Sequence, residues 1–297
     1  MRRSANTVTA SALVIGGVLA GGNAVGIRFM NRELDPLWAA GARFVLAAAL
    51  LALVVAQRGL TYPRGKALRG AALFGLLNFA GAFGFGYYAL VHIKAGVGST
   101  LIALVPLATL AFAVAHRAEK LRRDGVIGGL LALTGVGFVS EASLTGSAPT
   151  LAVLAALVSV ACFAEAAVLV RKFPPVQPIV MNTVAMAVGG VALLISSAVA
   201  RESWELPQRR ATWVAFAYLV VAGSIVVFLL YLFVLERWPA SRAVYLDVII
   251  PPVAVLASAW LDDERLTAGL VGGGVLIVIG AYVGAMRHSG EEPMVAT

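Results

Sequence analysis

The chain is built from apolar runs of nearly membrane-crossing length that follow one another with hardly a break. A bilayer core about 30 Å thick is crossed by about 20 apolar residues in a helix. Ten segments reach or approach that length: 8–27, 36–56, 70–91, 95–115, 125–140, 150–170, 178–199, 211–235, 240–261 and 267–286. The connections are short and carry helix breakers, such as Asp35-Pro36, Phe173-Pro174-Pro175 and Glu205-Leu206-Pro207. None is long enough to hold a soluble domain. Backbone groups inside lipid must be satisfied within the segment or within a closed barrel. Barrel strands alternate over about ten residues, and runs such as LVIGGVLAGG do not alternate. The expected fold is an all-α integral membrane protein with ten transmembrane helices.

Charge agrees with this. Only 13% of the residues are charged, about half the share a wetted globular surface needs. A soluble enzyme, a disordered chain and a nucleic-acid-binding domain are thereby excluded. The net charge of +8 resides in short basic clusters between apolar runs, as membrane topology requires. With the N-terminus cytoplasmic, fifteen lysines and arginines fall in inside connections and seven in outside ones, while Arg43 lies within a span. Both termini are therefore expected in the cytoplasm, and the chain in the cytoplasmic membrane. Arg2 and Arg3 before an apolar run resemble the start of a secretory signal. The run from Val8 is long for one and further spans follow directly, so it reads as a retained first span. Cys162 has no cysteine to pair with, and the three histidines are far apart in sequence. No metal site, cofactor or catalytic constellation is expected, and no nucleotide-binding motif is present.

The second half echoes the first at an offset of 145 residues. Pro106 falls on Pro251, Glu119-Lys120-Leu121 on Glu264-Arg265-Leu266, Gly128-Gly129 on Gly273-Gly274 and Gly135 on Gly280. The boundary falls at 1–145 and 146–297, with five spans in each part. An odd number of spans inverts the second copy. The charges follow: the turn HRAEKLRRD is basic, and its mate LDDERLT is acidic. Two inverted five-helix repeats around a central cavity are an arrangement of secondary transporters.

With these residues in view, the chain resembles the drug/metabolite transporter superfamily, specifically its EamA-type ten-helix members. The resemblance rests on Gly22-Asn23 through Arg28, Pro36 with Ala42-Arg43-Phe44, Pro106 with Glu119-Lys120-Leu121, and Pro251 with Glu264-Arg265-Leu266. It covers about residues 8–287. It implies export of small metabolites, including amino acids, and the superfamily also holds nucleotide-sugar and sugar-phosphate carriers. Among its amino-acid exporters are YddG-type exporters of aromatic amino acids. The family often has an acid just before the span-nine proline. Here that position is Ile250, and the acid is Asp247.

Ionisable groups inside a bilayer cost about 2.5–3.5 kcal/mol on insertion scales, so each needs a reason. Arg43, Glu165 and Asp247 stand inside spans. Arg43 is expected to pair with one of the acids and lock helices together; unpaired, it would meet a substrate carboxylate. Asp247 and Glu165 are candidates for contact with substrate or a coupling proton. Pro106 and Pro251 free the carbonyls of Ile102 and Asp247, giving kinks that serve either packing or a polar spot near mid-membrane. Asn23 and Asn78 either bind substrate or join helices. Phe79, Phe83 and Tyr87 recur every fourth residue and so share one helix face, suited to stacking on an aromatic ligand or to plain packing. Sparse anions and clustered aromatics predict a small neutral or zwitterionic substrate, amino acids first, with aromatic or bulky apolar ones preferred. Exporters of other amphiphilic metabolites or drugs, a channel and a membrane-embedded enzyme are the alternatives.

Overall fold

The computed structural model describes residues 2–118, 123–144, 150–235, 245–261 and 266–283. Among the described residues there are helices and no strands. They run α1 (Arg2–Gly21), α2 (Asn23–Asn31), α3 (Pro36–Gln57), α4 (Gly65–Phe74), a π-helical segment (Gly75–Ala82), α5 (Phe83–His92), α6 (Ala95–Ile102), α7 (Val105–Ala115), α8 (Arg123–Leu144), α9 (Thr150–Val170) and α10 (Pro178–Ala200). Then come α11 (Arg210–Val220), a second π-helical segment (Val221–Val226), α12 (Val227–Leu235), α13 (Tyr245–Leu261) and α14 (Ala268–Ala281).

The starts follow local chemistry. Pro36 and Pro178 open α3 and α10, where the missing N–H costs nothing. The Thr267 side chain accepts the Leu270 amide and caps α14. Seven helical stretches among the described residues are long and apolar enough to cross a membrane, and Ile249–Leu261 and Ala268–Gly280 are shorter apolar helices. Their outer faces stay apolar: Leu133, Val199 and Trp260 are 68%, 79% and 82% exposed. Water would penalise such a surface and lipid does not. The chain is a multi-pass membrane protein.

Two spans do not form one regular helix. Span four breaks at Ala103 and Leu104, whose amides reach back only three residues, to Thr100 and Leu101. Pro106 then opens α7, as expected of a residue that frees a carbonyl. Pro251 and Pro252 lie inside a continuous α13, so the two prolines of the repeat do not produce matching breaks. Span three carries the first π-segment and span eight the second. At an offset of 145 the first covers 220–227, which brackets the second.

Packing is mirrored in the same way. α3 packs on α10, and α8 on α14; these pairs are mates at the 145 offset. α1 packs on α13 and α12, while its mate α9 packs on α7 and on span three. A Cβ on Gly135 would sit 2.5 Å from the Gly273 carbonyl oxygen, and one on Gly280 would sit 2.5 Å from that of Gly128. Each contact is the other with the partners exchanged. Glycine is required at both, because two helix backbones meet there.

The connections gather at two ends. At one, Glu33 accepts the Gln208 and Arg209 amides, both at 3.0 Å, Asp35 accepts the Ser203 amide at 2.7 Å, and Glu202 accepts the Trp38 amide at 2.8 Å. Trp38 and Trp204 stack at 4.8 Å. At the other, Gly70 meets the Phe173 ring, and Lys172 reaches His116. The first clip should respond to acid. The Thr212 side-chain hydrogen bond above all, with the two amides and the Arg209 charge, holds the Glu33 carboxyl below its usual range against the opposing effect of desolvation. A depressed pKa gives stability above the unfolded value that is lost as pH falls through the folded one. Amide exchange at Gln208 and Arg209 is expected to quicken as pH drops below the ordinary carboxylate range, beyond the intrinsic pH effect. Glu33→Gln should remove that dependence; an unchanged profile in the variant would show that Glu33 is not the switch.

Candidate functional site

Spans one, three, four and six, with Ile250 from span nine, enclose a cavity of about 180 Å³. Apolar cavities of about 150 Å³ admit a benzene-sized body. The wall is mostly apolar and small, with Gly21, Gly86 and Gly98 leaving room for Val253, Ser159 and Leu90 to pack close. Phe83 and Phe163 contribute rings that meet edge to face at 5.3 Å. The polar wall groups are Asn23, Ser99 and Ser159. The Ser159 hydroxyl donates to the Ala82 carbonyl at 2.7 Å, and the Ser99 hydroxyl to carbonyls of its own helix. Both keep an acceptor lone pair.

Asn23 stands just past the turn at Gly22, where α1 gives way to α2. The Tyr218 hydroxyl occupies the space beside Gly22 and donates to the Leu19 carbonyl. Asn23 Nδ2 donates to the Gly223 carbonyl at 3.4 Å, while its Oδ1 is buried without a partner among the described residues.

Behind this wall lies Arg43, fully buried. Its Nε donates to Ser224 Oγ at 2.9 Å and its Nη1 to the Tyr87 hydroxyl at 3.2 Å. The guanidinium lies 5.0 Å from the Phe44 ring centroid and 5.3 Å from that of Phe83, within cation–π range. Its Nη2 has no hydrogen-bond partner among the described residues. A Cβ on Gly223 would meet Asn23 Oδ1 and would lie 3.2 Å from Arg43 Nη2. An unused donor and an unused acceptor thus face the same spot beside the second π-segment. The Ser224 hydroxyl donates to the Leu219 carbonyl five residues back, at the π-turn, where the helix carries one residue more than a regular turn.

The expected pairing of Arg43 with an acid is left to Asp247, whose side chain lies outside the described residues; among the described residues the partners of Arg43 are hydroxyls and rings, and Glu165 is engaged elsewhere. Glu165 does not reach the cavity wall: its Oε1 lies 2.7 Å from His116 Nε2 at the far end of span four. Phe79, Phe83 and Tyr87 do share one side of span three, turned toward Arg43 and Phe44 of α3: Arg43 Nη1 donates to the Tyr87 hydroxyl, and Phe44 meets the rings of Phe79 and Phe83 at 5.0 and 4.7 Å. Of the three only Phe83 lines the cavity, while Phe79 and Tyr87 are fully buried. Phe79 stacks on Phe83 at 6.0 Å. Asn78 is buried in the same segment, away from the wall. Pro106 and Pro251 belong to cavity-lining spans but not to the wall. Asp247 lies in α13, but its side chain is outside the described residues, as are Glu119-Lys120-Leu121 and Glu264-Arg265. Ser224, Tyr218 and the His116 cluster went unnoticed in the sequence. The pair Gly223-Ser224 falls on Asn78-Phe79 at the repeat offset, and that was its one available signal.

Membrane-length helices with apolar exteriors around a mostly apolar cavity holding a few unpaired polar atoms define a membrane transport protein. The EamA-like transporter family matches the chain twice, over residues 8–141 and 150–285, and the chain belongs to that family. Similar proteins include the uncharacterized inner membrane transporter YedA of Escherichia coli K12, 27% identical over 267 residues covering 86% of each chain. A probable amino-acid metabolite efflux pump of Salmonella typhimurium is 29% identical, covering 90% of this chain and 91% of its own. A probable terminal-alkyne amino-acid exporter of Streptantibioticus cattleyicolor is 25% identical, covering 83% and 85%. A crystal structure 19% identical in sequence superposes with a TM-score of 0.64 over 93% of this chain and 99% of that one; this likeness is one of fold.

Proposed function

We propose that the chain is a ten-span carrier of two inverted five-helix repeats, 1–145 and 146–297, with both termini cytoplasmic. It exports small neutral or zwitterionic metabolites by alternating access, amino acids first, with aromatic or bulky apolar ones preferred. The mirrored packing of repeat mates, the paired π-segments, the double family match and the inside bias of basic residues support the topology. Relatives described as amino-acid exporters support the substrate class.

The observation that carries the substrate reading is the unused pair Arg43 Nη2 and Asn23 Oδ1 behind an apolar, ring-bearing cavity. A buried cation in low dielectric projects a strong field. It favours a carboxylate on the substrate. Asn23 Oδ1 and the serine hydroxyls offer acceptors to an ammonium. Phe83 and Phe163 offer edges and faces to an apolar side chain. A polyanion would need clustered Lys or Arg, and among the described residues no Lys or Arg lines this cavity, with Arg43 standing behind its wall.

Proteoliposomes are expected to exchange phenylalanine or tryptophan faster than glutamate or a sugar phosphate. Phe83→Ala should narrow that preference by up to about tenfold, the equivalent of one aromatic contact of about 1 kcal/mol or slightly more. Exchange of sugar phosphates but of no amino acid would overturn the assignment.

A further inference from the structure

Away from the cavity, three titratable side chains meet where spans four and six end. His116 follows α7 directly, Glu165 lies in α9, and Lys172 stands just beyond it. Lys172 Nζ lies 3.0 Å from His116 Nδ1, and His116 Nε2 lies 2.7 Å from Glu165 Oε1. An ammonium can only donate, so Nδ1 accepts from it. The ring proton then sits on Nε2 and is donated to Glu165. Glu165 Oε2 is buried without a hydrogen-bond partner among the described residues. The side chains of His116 and Glu165 are 29% and 21% exposed, so the site is reachable yet sheltered.

We propose that this cluster binds the proton that drives transport. The inference rests on the carrier reading. A proton taken from solvent by the ring bonds to Nδ1, the lone pair that Lys172 uses. The Lys172–His116 hydrogen bond breaks, and two cations then face each other. The Nε2–H bond to Glu165 stays and becomes charge-assisted. Nothing is oxidised or reduced; one proton is bound and one inter-element bond is exchanged for repulsion. The consequence reaches the cavity through α9, which carries Glu165 and places Ser159 and Phe163 in the wall. Span four is broken at Ala103 and Leu104, so α7 can shift while Ser99 and Ile102 on α6 keep their places in that wall.

Among the described residues, the charged groups of the surrounding elements are mainly basic: Lys66 and Arg69 on α4, Arg117 after α7, Arg171 after α9, and Arg123 with Asp124 on α8. Cys162 on α9, Tyr87, Tyr88 and His92 on α5, and Tyr282 beyond α14 are the further titratable groups there, while Glu119, Lys120 and Arg122 lie outside the described residues. Histidine is the side chain that ordinarily changes charge between about pH 5 and 8. Glu165 is the anion hydrogen-bonded to His116, and the basic surroundings make loss of Lys172 the expected response to an added proton.

The test uses the full chain in proteoliposomes with radiolabelled phenylalanine. For one-for-one exchange, each unit of pH gradient should support about tenfold accumulation in the wild type. His116→Gln and Glu165→Gln should keep downhill counterflow and lose the accumulation. Lys172→Met, outside the apolar run, should keep accumulation but lose the acid-triggered gain in amide exchange, since the hydrogen bond that the added proton breaks is already gone. Accumulation that survives His116→Gln, or a wild type indifferent to the gradient, overturns the proposal. Absence of counterflow in the wild type would instead sink the amino-acid reading. Amide exchange at Lys172 and Phe173 in nanodiscs would then decide the proton site alone: protection lost on acidification in the wild type but not in His116→Gln supports it, and equal profiles refute it. The same exchange comparison on Lys172→Met decides the matter if the His116 variant does not fold.

Discussion

Arg43→Met is expected to abolish substrate counterflow while leaving a folded protein. Arg43 is fully buried and has no carboxylate partner among the described residues. Its hydrogen bonds go to Ser224 and Tyr87, both hydroxyls that can turn to other acceptors. Replacing a buried charge by an apolar chain of similar volume is often neutral for stability. Loss of a charge-assisted bond to a substrate carboxylate costs about 1.5–3 kcal/mol, a fall of roughly 10- to 150-fold in affinity. Arg43→Lys should fail nearly as badly. An ammonium on a flexible stem cannot engage Ser224 and Tyr87 at once and still present a donor beside Asn23. Counterflow and melting temperature, measured together, check this. Full transport by Arg43→Met would make the residue a helix fastener. A variant that melts many degrees lower would favour an ion pair with Asp247.

The second large effect concerns the helix pair α8 and α14. Gly135→Leu and Gly280→Leu are expected to lower the melting temperature strongly and to similar extents. In each case the added Cβ meets a backbone carbonyl oxygen at 2.5 Å, with further backbone nitrogens at 2.9 and 2.8 Å. Backbone cannot rotate away as a side chain can, so the helices must part, at about 1–3 kcal/mol or more. Gly137→Ala and Gly272→Ala serve as controls on the same helices, because a Cβ there meets nothing within 4 Å. They should be neutral or mildly stabilising, by up to about 1 kcal/mol from helix propensity. Unequal losses at Gly135 and Gly280 would count against the pseudo-two-fold relation of the halves.

The membrane-spanning character of this chain was determined by its sequence alone. Lipid offers no hydrogen bonds, so a run of apolar residues long enough to cross must be a helix, whatever surrounds it. Helix starts at Pro36 and Pro178 were legible for a similarly local reason, and so was the break that Pro106 imposes. The 145-residue offset was legible because glycines and prolines are kept where backbones touch or bend; Gly135 and Gly280 are such places. What only the tertiary structure decided is which polar groups meet. Glu165 and His116 are 49 residues apart, and Arg43 and Ser224 are 181 apart. No periodicity links such positions; helix packing does. Where the helices turn irregular was not legible either. A π-turn is set by how a helix accommodates its neighbours, here Gly75 and Gly189 in backbone contact with the facing helix, and no local pattern marks it. Local rules read faces from a regular helix, and the irregular turns lie where the polar groups of this protein gather.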